Sequence, residues 1–98
     1  MVREIIKGGK EYVAMVMTRR CDGDFELDSA EYRVLNSKKD AIAGFEGAAQ
    51  IEDKIVYTLI DTSAQEYVAG REYYCDFFVA VVGLPKLIPG RVPFKVIR

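Results

Sequence analysis

The sequence predicts an all-β domain, two antiparallel sheets packed face to face from about seven strands, with residues 1–98 as a single unit. Three observations predict it. Short runs rich in Val, Ile, Tyr and Phe recur along the chain, divided by Gly, Pro, Asn and Asp. No helical pattern of ten or more residues separates them, which disfavours parallel α/β folds. Half of the 98 residues are apolar, enough for one core and too many for a disordered chain.

Residues 2–6 form the first strand, ended by Gly8 and Gly9. Residues 11–19 form the second: the unbroken apolar run from Tyr12 to Met17 would suit a strand buried on both sides or a Met-rich helix, and its β-branched residues and the Gly-Gly start favour a strand. Cys21-Asp-Gly-Asp24 is a turn, because Asp-Gly supplies positive φ easily. In residues 30–34, Ala30, Tyr32 and Val34 face one way and Glu31 and Arg33 the other. Asn36 to Asp40 turns the chain. Residues 41–51 are read as two short, irregular strands around a turn at Glu46-Gly47, since Gly44 and Gly47 would each cost a helix about 1 kcal/mol against Ala. In residues 54–60, Ile55, Tyr57 and Leu59 alternate with Val56, Thr58 and Ile60. Ser63-Ala-Gln-Glu66 fits a capping box for one helical turn through Tyr67, closed by Gly70. Residues 72–82 are the longest strand, 83–90 a long hairpin loop and 92–97 the last strand. Pro93 lacks an amide donor, so it belongs at an edge or a strand start.

Composition narrows the function. Acids and bases nearly balance, 15 against 14, with no basic stripe to neutralise phosphates, so nucleic acid is not an expected partner. No apolar stretch of eighteen residues occurs, so no membrane span is expected, and the first residues are too short an apolar block for a secretory signal. Histidine is absent, which removes Ser-His and Cys-His nucleophile pairs. Two distant cysteines make no zinc pattern. Asp22, Asp24, Glu26 and Asp28 form the one acidic cluster. They lack the EF-hand spacing and read as a solvated turn. The expectation is a protein without catalytic residues, metal or cofactor.

Gly70-Arg-Glu-Tyr-Tyr-Cys-Asp-Phe-Phe-Val79 is the clearest signature. Tyr73 stands two residues before Cys75, as in the tyrosine corner of immunoglobulin domains, whose hydroxyl bonds back to the upstream backbone. The sandwich is therefore read as immunoglobulin-like. Cys21 and Cys75 fall on the strands that carry the antibody disulfide, but no tryptophan exists to pack on it. Two reduced thiols acting as small hydrophobes is the expectation, with a disulfide as the alternative.

The order of motifs resembles the N-terminal immunoglobulin-like domain of phage baseplate upper proteins. Lys7-Gly-Gly-Lys-Glu-Tyr12, Asp24-Phe-Glu-Leu27 with Ala30-Glu-Tyr-Arg-Val34, Ile55-Val-Tyr-Thr58, Gly70 to Val79, and Pro89 to Ile97 carry the likeness. It implies a non-enzymatic virion module of the tail or baseplate, made in the bacterial host cytoplasm, that contacts other virion or tail proteins or further copies of itself. The rival expectation is a small ligand-binding module, such as a carbohydrate-binding sandwich.

Candidate contact residues follow from exposure and loop chemistry. Tyr73 and Phe77 should pack inward with Cys75, leaving Tyr74 and Phe78 on the other face with Asp76 as a docking surface. Leu84, Leu87 and Ile88 are apolar residues on the Pro-rich loop, where contacts often lie.

Overall fold

The β-branched and aromatic runs form eight strands in the computed structural model, which describes residues 2–17 and 26–98. They are β1 (Arg3–Ile6), β2 (Lys10–Val16), β3 (Leu27–Leu35), β4 (Ala41–Ala48), β5 (Gln50–Glu52), β6 (Ile55–Asp61), β7 (Glu72–Val81) and β8 (Ile88–Ile97). One sheet has the order β1-β8-β7-β3-β4 and the other β2-β6-β5. This is the immunoglobulin scheme, with β2, β5 and β6 in one layer and β3, β7 and β8 in the other. One pairing departs from the all-antiparallel expectation: β1 lies parallel to β8, with Ile5 beside Val96. The turn after β1, closed by the Gly9 amide on the Ile6 carbonyl, then carries the chain across to the smaller sheet.

Period-two alternation decides what is buried. Along β7, Tyr73, Cys75, Phe77 and Val79 face inward, and along β6 Val56, Thr58 and Ile60 do. Ile5, Val13, Val34, Phe94 and Val96 complete the centre of the core. Phe45, Tyr67, Tyr73 and Phe94 stack in series, with centroids 5.1 to 6.0 Å apart. The Tyr73 hydroxyl accepts from the Val68 amide at 2.7 Å and donates to the Glu66 carbonyl at 3.0 Å, so the tyrosine corner is present.

Three expectations change. The turn at Glu46-Gly47 is absent, because those residues pair with Arg33 and Tyr32 inside β4. The irregularity falls earlier: Arg33 pairs with Glu46 but Leu35 with Ala41, and Gly44, at φ 85°, absorbs the extra residues as a bulge. The chain then switches sheets at Ala49, whose amide bonds the Ala30 carbonyl.

The turn after Ser63 is reduced to one bond, from the Tyr67 amide to the Ala64 carbonyl, with Gly70 at φ 93° beyond it, and Ser63 does not cap it. Asp61 Oδ1 accepts the Ser63 amide, and Lys7 Nζ donates to the Ala64 and Tyr67 carbonyls at 2.7 and 2.6 Å. Bonds from distant residues therefore replace the capping box. Third, the hairpin loop ends sooner than residue 90, since Ile88, Pro89 and Gly90 pair with Val79, Phe78 and Phe77. Residues 21–24, with the expected turn and Cys21, lie outside the described residues.

Pro89 and Pro93 fit within β8 because β1 registers only with its Phe94–Ile97 end, so among the described residues no strand pairs with the outer side of its earlier part. Gly90 has a different reason. A Cβ there would run into Met15 Sδ, which crosses from the other sheet. Gly90→Ala should cost no more than about 1 kcal/mol, because the atoms in the way are the flexible end of the half-buried Met15, which can turn aside. Urea unfolding of Gly90→Ala, Met15→Ala and the double variant tests this. The two costs should fall short of additive, and full additivity would refute the contact.

Candidate functional site

The outer face of the five-stranded sheet holds the aromatic residues singled out in the sequence. Strand register sets its side chains in rows. Glu46, Arg33, Asp76 and Arg91 run across β4, β3, β7 and β8 in alternating charge. On one side lies the row Leu35, Tyr74 and Pro93, and on the other Ala48, Glu31, Phe78 and Pro89. Tyr74 and Phe78 thus share one face with Asp76, as the alternation requires.

They are half-buried, and cations cover them. Arg33 Cζ lies 5.2 Å from the Phe78 centroid. Arg91 Cζ and Lys39 Nζ lie 5.3 and 5.8 Å from that of Tyr74. Arg91 is held in place by Asp76, which accepts from Nε at 2.7 Å and Nη2 at 2.9 Å. That hydrogen bonding holds the Arg91 guanidinium above its usual pKa. Tyr74 is therefore no bare stacking platform.

Arg33 differs from Arg91. Its Nε is sealed from solvent and has no hydrogen-bond partner. It borders a depression of about 360 Å³ lined also by Glu31, Glu46, Ala48 and Phe78, with Tyr32 and Gly47 beneath.

The loop residues separate. Leu84 and Leu87 are exposed between β7 and β8. Ile88 belongs to β8 and packs against the core, so it is no free loop contact. Sequence reasoning could have assigned it to the strand by its alternation with Val92.

A second surface escaped the sequence reading. On the outer face of the three-stranded sheet, Tyr12 pairs with Leu59, Ala14 with Tyr57 and Val16 with Ile55. Tyr12, Val16, Ile55 and Leu59 remain 53%, 64%, 39% and 46% exposed. Tyr12 and Tyr57 meet edge to face at 5.5 Å. Charge is confined to the ends: Lys10 and Asp61, 3.9 Å apart, at one, and Glu52 at the other. Hydrogen bonds from Ser63, with Lys10 nearby, hold the Asp61 carboxyl below its usual pKa. The unbroken run from Tyr12 to Met17 was the available signal. Its alternate residues do face opposite ways, but among the described residues only Val13, Met15 and Met17 find cover.

Among the described residues no group of three His, Cys, Asp or Glu could hold a metal ion. Cys75 is a free, fully buried thiol, and burial pushes its pKa up to about 12, so it is no nucleophile near neutral pH. No protein-family model, curated protein or solved structure matches this chain.

Proposed function

We propose that this chain is a non-enzymatic assembly module that works through protein–protein contact, in a phage or prophage tail or baseplate. One observation carries the reading: the outer face of the β2-β6-β5 sheet is an apolar surface without cover among the described residues. Contiguous apolar surface of this kind marks contact sites. Tyr12 supplies a large, stiff aromatic beside Tyr57, the residue type that dominates interface energies. The order of turn glycines and alternating apolar residues supports the virion setting, and other tail proteins or further copies are the partners it implies.

The test is co-purification with the products of the neighbouring genes, with light scattering of the chain alone. The native chain should associate with a tail or baseplate protein or with itself. Leu59→Glu should weaken that association by about thirtyfold or more. It should change stability by less than about 1 kcal/mol, because Leu59 is exposed. A strict monomer that binds no neighbouring product would overturn the reading, as would association indifferent to Leu59→Glu.

A further inference from the structure

We infer that the outer edge of β2 pairs antiparallel with the same edge of a second copy, so that two three-stranded sheets join into one of six. The inference rests on the assembly reading above and names a partner and a mode of contact for it, through the edge of the smaller sheet rather than its face.

The backbone of β2 points in two directions. The strand ends its sheet, in the order β2-β6-β5. Two bonds bracket its pairing with β6: the Thr62 amide donates to the Gly9 carbonyl at 3.0 Å, and the Met17 amide to the Lys54 carbonyl at 2.8 Å. Hydrogen-bonded pairs recur at every second residue of an antiparallel ladder, so Glu11, Val13 and Met15 carry the bonds in between. The amides and carbonyls of Lys10, Tyr12, Ala14 and Val16 therefore point out of the sheet. Among the described residues no strand pairs with that side.

This edge is also the least protected of the fold. Sheets blunt their edges with short strands, charges, prolines and bulges. β1 and β5 have only four and three residues, and both carry charge. β4 is broken by its bulge at Gly44, and the early part of β8 holds Pro89 and Pro93. β2 has none of these from Tyr12 to Val16. Its seven residues keep an unbroken register with β6. A long, flat, apolar edge of this kind accepts a further strand.

The strand that fits is β2 itself. With a two-fold axis at Ala14, that residue pairs with its own copy, and Tyr12 faces the partner's Val16 on each side of the axis. Outward backbone groups then oppose outward ones, and each pair exchanges two bonds. An aromatic residue meets a β-branched one, a cross-strand pair that sheets favour. Ala14 is small and exposed, so the side chains at the axis do not crowd. The Lys10-Glu11 ends of the two copies lie at opposite ends of the joint, so no like charges meet. No charge between Tyr12 and Val16 selects a foreign strand, whereas a two-fold makes one patch serve both sides. Little beyond the edges is buried, which places the dimer in the weak, micromolar class. The joint sets the two apolar faces side by side, since Leu59 and Tyr12 fall in one row with the partner's Val16 and Ile55.

The test is sedimentation of the native chain, Ala14→Lys, Ala14→Glu and an equal mixture of the two variants, with amide hydrogen exchange on the native chain. The native chain should dimerise in the micromolar range. Each variant alone sets like charges against each other at the axis and should dimerise about thirtyfold more weakly. The mixture sets opposite charges there and should recover the dimer, which a misfolded variant could not do. The amides of Tyr12, Ala14 and Val16 should exchange freely in dilute protein and gain protection as concentration rises, while Val13 and Met15 stay protected throughout. A native chain that remains monomeric to millimolar concentration would overturn the inference. So would a dimer whose Tyr12, Ala14 and Val16 amides stay unprotected, or a mixture that associates no better than either variant alone. Leu59→Glu separates this joint from the apolar face. Association lost with Leu59→Glu but indifferent to charge at Ala14 would remove the edge and keep the face. A dimer restored in the Ala14 mixture, in a chain with no Leu59-dependent association, would keep the edge and remove the face.

Discussion

Replacing Phe94 with alanine should lower the unfolding free energy by about 3–5 kcal/mol. Phe94 is fully buried, and its ring packs on Tyr73 at 5.7 Å and Tyr67 at 6.0 Å. Truncation removes apolar area and leaves a cavity. It also breaks two aromatic contacts, each worth about 0.5–1.5 kcal/mol beyond area. A domain of this length has about 5–15 kcal/mol in all, so the variant keeps a thin margin. Its midpoint temperature should fall by roughly 15 °C or more. Tyr74→Ala is the control. Tyr74 adjoins Tyr73 in β7 but faces outward beneath Arg91 and Lys39. Its loss should cost about 1 kcal/mol. Urea unfolding followed by circular dichroism measures both. Equal costs would mean that the inward and outward faces of β7 are wrongly assigned.

Alternation was the most legible feature. Tyr73, Cys75 and Phe77 inward and Tyr74, Asp76 and Phe78 outward follow from period two once β7 is recognised. The tyrosine corner was legible for a related reason: its two partners lie five and seven residues upstream. The segments read wrongly depend on distant residues. The run from Ser63 to Gly70 carries a helix-start pattern, but only the Tyr67 amide makes a local turn bond, to Ala64, and Lys7 and Tyr73 hold the Ala64, Tyr67 and Glu66 carbonyls from afar. Gly44 and Gly47 look alike in sequence. Only the pairing with Arg33 and Leu35 makes Gly44 the bulge and Gly47 an ordinary strand residue.

The two surfaces illustrate the same limit. The aromatic pair on β7 was found because two aromatics stood together, whereas its cover of guanidinium groups comes from β3 and β8. The apolar face of the smaller sheet was hidden by its own composition. A run such as Tyr12 to Met17 says that both sides of a strand are apolar, not whether a second layer exists on each. Among the described residues the core covers one side of β2 only, so half of what the sequence marks as burial is exposed apolar surface.

Stability should also fall steeply in alkali, for a reason located at Cys75. The thiol pKa rises from 9.0 to about 12 because burial disfavours the thiolate, with Asp76 adding to the effect. A group whose pKa is raised on folding gives its full contribution below the unfolded value and loses it as pH climbs to the folded one. Below pH 9.0 both states keep the proton. Between pH 9.0 and about 12 the unfolded chain releases it and the folded chain does not. Each pH step then removes about 1.4 kcal/mol, and the whole window about 4 kcal/mol. Tyr67 acts in the same direction from about pH 10 upward, because burial raises its pKa as well. The fold should therefore be near its unfolding point by about pH 12. Urea midpoints measured from pH 7 to pH 12 read this directly. Cys75→Ala removes the thiol, so its midpoint should stay flat from pH 9 to pH 10, where Tyr67 does not yet contribute, and decline more gently above. A variant curve that declines in parallel with the native one from pH 9 would place the alkaline sensitivity elsewhere than the buried thiol of β7.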